Sequence, residues 1–384
     1  MNIPAVFNEI RPYTPEELPQ VFEELIADPA FQAVVAQVMP QIPFEQIATQ
    51  LRQCKTSLEV QKRFFHTLLH QLLKTHAKGF LLDTTALPEK NLPYTFISNH
   101  RDIVLDAGFL SVGLIDNGFP TTVEIAIGDN LLIHPWIKKL VRINKSFIVK
   151  RGLSMREVLE ASKLMSQYIH FAVKEKAENV WIAQREGRAK DSNDHTQESV
   201  LKMLAMGGEG DYVDQLLELH ICPLSLSYEY DPCDYLKAQE MQLKRDIEDY
   251  KKTQADDLHN MQVGIFGYKG MINFKAAPVI NPFVETLRHL PKTEFYTQVA
   301  THIDQEIHKN YILYSGNYAA VDLLEDSNRM SSYYTEAEKQ VFSDYIATRI
   351  EMINIENKDI PFLRKALLTM YANPTYNYLK AHQA

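Results

Sequence analysis

Thr95-Phe-Ile-Ser-Asn-His-Arg-Asp-Ile-Val-Leu-Asp106 is the stretch on which the reading of the chain turns. Tyr94 to Ile97 is a short apolar run of the kind that forms a buried strand. Four polar residues follow, Ser98, Asn99, His100 and Arg101. Apolar residues then resume at helical spacing from Ile103 to Gly113, with Asp102 placed as an N-cap. A strand that hands a histidine to a turn, with a carboxylate shortly into the next helix, can make a base. The carboxylate holds one ring nitrogen, and the other is open to a proton. Two carboxylates, Asp102 and Asp106, compete for that orienting role. A histidine at a strand end is also an ordinary structural residue, so its surroundings decide.

The same alternation repeats downstream. Thr122–Ile127, Ser146–Lys150, Val180–Ala183 and Ile221–Ser227 read as strands, while Pro135–Leu140, Met155–Lys176 and Glu198–Leu204 read as helices. This predicts an α/β domain over residues 79–282, a mixed sheet with helices on both faces. A strongly charged stretch from Tyr235 to about His259 reads as a solvated helix or excursion and leads to Val263–Phe266 and Ile272–Phe274, which read as a strand pair near the sheet edge. Residues 1–78 read as an N-terminal helical bundle, with Leu18, Val21, Phe22 and Leu25, then Phe31, Val34, Val35 and Val38, at helical spacing. Ser57 opens a further helix carrying Val60, Phe64, Leu68 and Leu72. Residues 283–384 form a C-terminal helical region in which Thr335 and Glu338 spell a capping box.

Composition narrows the function classes. The 384 residues carry 40 basic and 49 acidic side chains, a net charge of -9 that argues against a nucleic-acid partner. Cys54, Cys222 and Cys233 show no metal-ligand spacing and suit a reducing cytoplasm. Met1 to Pro12 lacks a basic-then-apolar leader, and no apolar run reaches the ~18 residues that span a bilayer. The expectation is a cytoplasmic protein whose membrane contact, if any, is peripheral at the inner face of the cell membrane.

Three further blocks carry polar chemistry. Trp181-Ile-Ala-Gln-Arg185-Glu186-Gly187-Arg188-Ala-Lys190 is an apolar strand running into a glycine flanked by a carboxylate and cations, which suits phosphate. Phe147-Ile148 ends in Lys150-Arg151, and Ile221-Cys-Pro223 opens a strand with a proline. Asp129 and Asn130 follow a strand and read as a turn beside the same cleft. His-Arg-Asp at 100–102 also opens a protein-kinase catalytic loop. That loop needs an asparagine where this chain has Ala107, and no Asp-Phe-Gly follows, so the kinase reading fails.

In order, the four blocks resemble the glycerolipid acyltransferase superfamily of glycerol-3-phosphate and 1-acylglycerol-3-phosphate acyltransferases. They are Asn99, His100 and Asp106; Phe147-Ile148 to Lys150-Arg151; Glu186-Gly187-Arg188; and Pro223, over residues 80 to 280. The chain departs from that pattern twice. Five residues, not four, separate His100 from Asp106, and Arg188 directly follows Gly187. The resemblance implies transfer of a fatty acyl group from an acyl thioester, coenzyme A or acyl carrier protein, to the hydroxyl of a glycerol-phosphate or lysophospholipid acceptor, as in phospholipid biosynthesis. His100 would be the general base and Asp106 its partner. Asn99, Lys150, Arg151, Glu186, Gly187, Arg188 and Lys190 would bind substrate, with either Arg188 or Lys190 on the phosphate. Neither a metal nor a cofactor beyond the thioester co-substrate is implied. Two alternatives share the fold: a non-catalytic acyl- or lipid-binding protein, and an O-acyltransferase for a non-glycerol lipid alcohol.

Overall fold

Seven strands form one sheet in the computed structural model, which describes residues 3–132 and 134–383. They are β1 (Gly79–Asp83), β2 (Thr95–Ser98), β3 (Val123–Gly128), β4 (Ser146–Val149), β5 (Asn179–Ala183), β6 (Ile221–Tyr228) and β7 (Met271–Ala276). Their order is β1-β7-β6-β2-β5-β3-β4. β6, β2, β5, β3 and β4 run parallel, whereas β7 pairs antiparallel to β6 and parallel to β1. Parallel strands need crossovers that cover both faces of the sheet, so central strands read as continuous apolar runs. All four residues of β2 are buried accordingly. Pro223 lies one residue before the antiparallel register with β7 begins at Leu224, a position that tolerates its missing N–H.

Neighbouring side chains of a strand go to opposite faces. Phe96 and Trp181 join Phe109 and Leu110 of the Leu105–Asp116 helix on one side. Ile97 and Ile182 join Tyr168, Leu201 and Ile303 on the other, where the Met155–Lys174, Glu198–Leu204 and Lys292–Lys309 helices pack. The architecture is a mixed α/β sheet with helices on both faces, as the alternation predicts.

Two readings need correction. Val263–Phe266 is not a strand but the last turn of the Gln254–Phe266 helix, opened by a Thr253–Asp256 capping box. Cap and packing override its β-type letters. Gly264 sits so close to Asp102 that an added Cβ would lie 2.2 Å from Asp102 Oδ2. The strand at the edge beyond β7 is instead β1, which the pattern hides because it is an edge strand with Leu81 58% exposed.

The flanking segments are helical, as expected. Leu18–Ile26, Pro29–Val38 and Phe44–Gln53 gather around Phe22, Leu25 and Phe31 and pack on Ile143 and Trp136 of the Pro135–Ile143 helix. Ser57–Val60 continues through a π-turn, Gln61–Phe65, into His66–His76. The buried Gln61 amide donates to Asn144 Oδ1 (3.0 Å) and accepts from Thr122 Oγ1 (2.5 Å), which anchors the turn. Ser315–Glu325, Glu336–Glu351 and Ile360–Gln383 share a core of their own around Ile346, Leu363 and Leu367, with the Thr335–Glu338 capping box in place. The Lys292–Lys309 helix belongs instead to the sheet, since Phe295, Val299, Ile303 and Ile307 join its core. Among the described residues no helix is long and apolar enough to cross a membrane.

Candidate active site

Open parallel sheets leave a crevice at the carboxyl ends of their strands. Here the ends of β2, β5, β3 and β4 open on a cleft of about 1270 Å³ that His100 lines. His100 is the second residue past β2, and its Nδ1 lies 2.8 Å from Asp106 Oδ2. The same oxygen accepts from Arg101 N (2.7 Å) and Asp102 N (3.0 Å), and Tyr228 Oη donates to Oδ1 (2.8 Å). Asp106 is 1% exposed and stands in the first turn of the Leu105–Asp116 helix, where the helix dipole favours a negative charge. With Asp106 ionised, His100 Nδ1 is the donor and Nε2 keeps its lone pair. The ring meets Trp181 edge-on, with centroids 5.4 Å apart.

The competition between the two aspartates has a geometric answer. Asp102 Oδ1 accepts from Val104 N (2.8 Å) and Leu105 N (2.7 Å), so Asp102 caps the turn and Asp106 holds the histidine. The fifth intervening residue is absorbed in that turn. Burial, with the charge of Asp106 added, raises the Asp102 carboxyl above its ordinary range.

The cleft has an apolar wall that includes Ile125, Ile127, Ile148, Leu164, Met165 and Val200. Six cations line it as well: Lys150, Arg151, Arg185, Arg188, Lys190 and Lys252. Four of them already face carboxylates. Lys150 pairs with Glu9 (2.9 Å), Arg151 with Glu186, and both Lys190 (2.8 Å) and Lys252 (3.0 Å) with Glu240. Arg185 and Arg188 have no such partner among the described residues, and Arg188 Nη1 is buried with no hydrogen bond. Burial, then the neighbouring Arg188, brings Lys190 down to about 8. Gly187 has φ +67°, which favours glycine, and a Cβ there would meet nothing within 4 Å, so backbone shape alone asks for it.

Asn99 departs from the expected substrate-binding set. Its Nδ2 donates to Leu226 O (2.9 Å) and its Oδ1 accepts from Leu226 N (2.8 Å), so the amide ties the end of β2 to β6 instead of facing the cleft. Asp129 Oδ1 accepts from Arg151 N (3.0 Å) as a turn residue, while Asn130 lines the cleft. The sequence pattern gives no role to Tyr228 or Trp181. Their contacts with Asp106 and His100 depend on β6 and β5 lying on either side of β2.

The far side of the same turn is closed. Arg101 pairs with Asp231 (3.1 Å) and Asp194 (3.4 Å), and the fully buried Lys237 pairs with Asp231 and donates to Arg101 O (3.2 Å). Burial alone would push Asp231 up, but Lys237 and Arg101 outweigh it and hold that carboxyl well below the usual range. Asp231 N donates to Tyr371 Oη (3.1 Å), which in turn donates to Asp234 Oδ2 (2.7 Å), linking the turn to the Ile360–Gln383 helix.

No protein-family model matches the chain, and no curated protein matches it. Among solved structures, the 1-acyl-sn-glycerophosphate (LPA) acyltransferase PlsC from Thermotoga maritima aligns over 75% of this chain and 98% of that one, at 11% identity and a TM-score of 0.36. Likeness of that degree carries no argument about activity.

Proposed function

We propose that the chain is an acyltransferase moving a fatty acyl group from an acyl thioester, of coenzyme A or acyl carrier protein, to the hydroxyl of a glycerol-phosphate or lysophospholipid acceptor. One observation carries the reading. His100 is fixed through Nδ1 by a buried, hydrogen-bonded Asp106, and it opens on a cleft with an apolar wall and two arginines that have no carboxylate partner among the described residues.

His100 Nε2 takes the proton of the acceptor hydroxyl as that oxygen bonds to the thioester carbonyl carbon. Asp106 stabilises the imidazolium through the Nδ1–H bond. The carbon–sulfur bond then breaks, and the departing thiolate recovers the proton from His100. No protein nucleophile is needed, because the alcohol attacks directly and a thioester is already activated. Arg188 and Arg185, with Lys190 beside them, hold the acceptor's phosphate by charge-assisted hydrogen bonds, so orientation supplies much of the rate. The apolar wall takes the acyl chain. Val104, Val158 and Leu258 are exposed and line the cleft, so its mouth suits peripheral contact with a lipid surface at the inner face of the cell membrane.

The test is His100→Ala with a labelled acyl thioester and a panel of phosphate-bearing acceptors. Loss of the general base lowers transfer by ~10²–10⁴-fold with the fold retained. Transfer at the wild-type rate by that variant would end the reading. Donor binding by the wild-type chain without turnover on any acceptor would move it to the non-catalytic alternative.

A further inference from the structure

A second group of convergent side chains lies at the opposite end of the helix that carries Asp106. In His66-Thr-Leu-Leu-His70 two imidazoles four residues apart emerge on one face of the His66–His76 helix. Asp116, the last residue of the Leu105–Asp116 helix, meets them. His66 Nε2 lies 2.7 Å from Asp116 Oδ1, His70 Nε2 lies 3.0 Å from Asp116 Oδ2, and the two Nε2 atoms are 3.2 Å apart.

Two imidazole nitrogens and a carboxylate oxygen thus converge within one ligand shell, and a divalent ion at its centre would take a lone pair from each. Tetrahedral zinc with bonds of about 2.0–2.2 Å to nitrogen and oxygen puts neighbouring ligand atoms about 3.3 Å apart. The 3.2 Å between the two nitrogens lies close to that edge, and the 2.7 and 3.0 Å contacts, made to the two different oxygens of Asp116, would lengthen when one oxygen binds the ion. The three side chains are 26%, 45% and 40% exposed, so water can complete the coordination. A π-turn, a rare element that recurs at functional sites, immediately precedes His66 and sets the rotation at which both imidazoles emerge.

We propose that His66, His70 and Asp116 bind one divalent transition cation of the zinc class, which clamps the His66–His76 helix to the Leu105–Asp116 helix. Two imidazoles and one carboxylate suit zinc, whereas magnesium and calcium prefer all-oxygen sets. The clamp grips the far end of the helix whose first turn positions Asp106 against His100. It stands independently of the acyl-transfer reading.

The experiment uses the full chain, stripped with a chelator and dialysed, then titrated with Zn²⁺ by calorimetry and followed by thermal unfolding. One Zn²⁺ per chain and a higher unfolding midpoint are expected, with no response to Mg²⁺. His70→Ala and His66→Ala should weaken binding by more than the ~10–100-fold typical when only a ligand's supporting hydrogen bond is lost, and should abolish the midpoint shift. X-ray absorption on the zinc-loaded wild-type chain should show two imidazole nitrogens, a readout independent of how the variants fold. Absence of a zinc response in the wild type, unchanged binding in folded His70→Ala, or an absorption spectrum without imidazole would each overturn the site.

Discussion

His100 and Arg101 are neighbours in one turn, and their surroundings differ in kind. Arg101, its side chain 10% exposed, sits among Asp194, Asp231 and Lys237, with each charge paired. His100 has one nitrogen held and the other turned to a cleft with apolar and cationic walls. Buried charge is tolerated when its partners are complete, and removing one of them leaves an uncompensated ion. Completeness therefore marks the Arg101 side as the joint between the sheet and the C-terminal helices. The open nitrogen on the His100 side is what the proposed role of base requires. Three polar letters in a row thus divide into proposed base (His100), joint (Arg101) and cap (Asp102).

The comparison is broken most readily at Asp231. Asp231→Ala strands the fully buried Lys237 and leaves Arg101 with Asp194 alone, and it should cost about 3–5 kcal/mol in a urea titration. His100→Ala, which takes one donor from Asp106, should cost less than that in the same titration while lowering transfer by ~10²–10⁴-fold. If Asp231→Ala unfolds like the wild type, the two sides of the turn do not differ as described. Tyr228→Phe sharpens the contrast with a smaller effect. It removes one donor from the buried Asp106 carboxylate, a bond to a charged group worth about 1.5–3 kcal/mol. Read at the transition state, that is a ~10–100-fold fall in kcat. The acceptor KM should stay constant, because Tyr228 touches the orienting aspartate and not the cations proposed to hold the acceptor.

How far the sequence could be read follows the same division. The strand-turn-helix around His100 was legible because local periodicity, a cap and an abrupt polar break coincide within a dozen residues. The sheet's class was legible from the alternation of strand and helix patterns. What escaped depends on contacts between distant segments. Asn99 looks like a substrate ligand until β6 is placed beside β2 and its amide is matched to Leu226. Val263–Phe266 has strand-like letters, but the Thr253–Asp256 cap and the Gly264 contact with Asp102 make it helix. β1 lacks the two-residue alternation because it is an edge strand. The His66–His70 spacing was visible all along, but only the fold brings Asp116 to it.

The smallest effect concerns which cation meets the phosphate. Lys190 sits at about 8 because burial disfavours its charge and Arg188 repels it. Glu240 offsets this only in part, since it also pairs with Lys244 (2.8 Å) and Lys252 (3.0 Å) and is itself held down to about 2. The sign of the resulting pH dependence is fixed. Lys190 falls from an ordinary 10.5, so between about 8 and 10.5 the unfolded chain binds the extra proton and wild-type stability should rise with pH. If Lys190 holds the acceptor's phosphate, the acceptor KM rises as pH passes 8 and that charge is lost. Lys190→Arg keeps the charge, and its KM should stay flat over the same range. A stability rise together with a flat wild-type KM would show that Lys190 titrates without touching substrate. The phosphate would then rest with Arg188 and Arg185, the two cleft arginines with no carboxylate partner among the described residues.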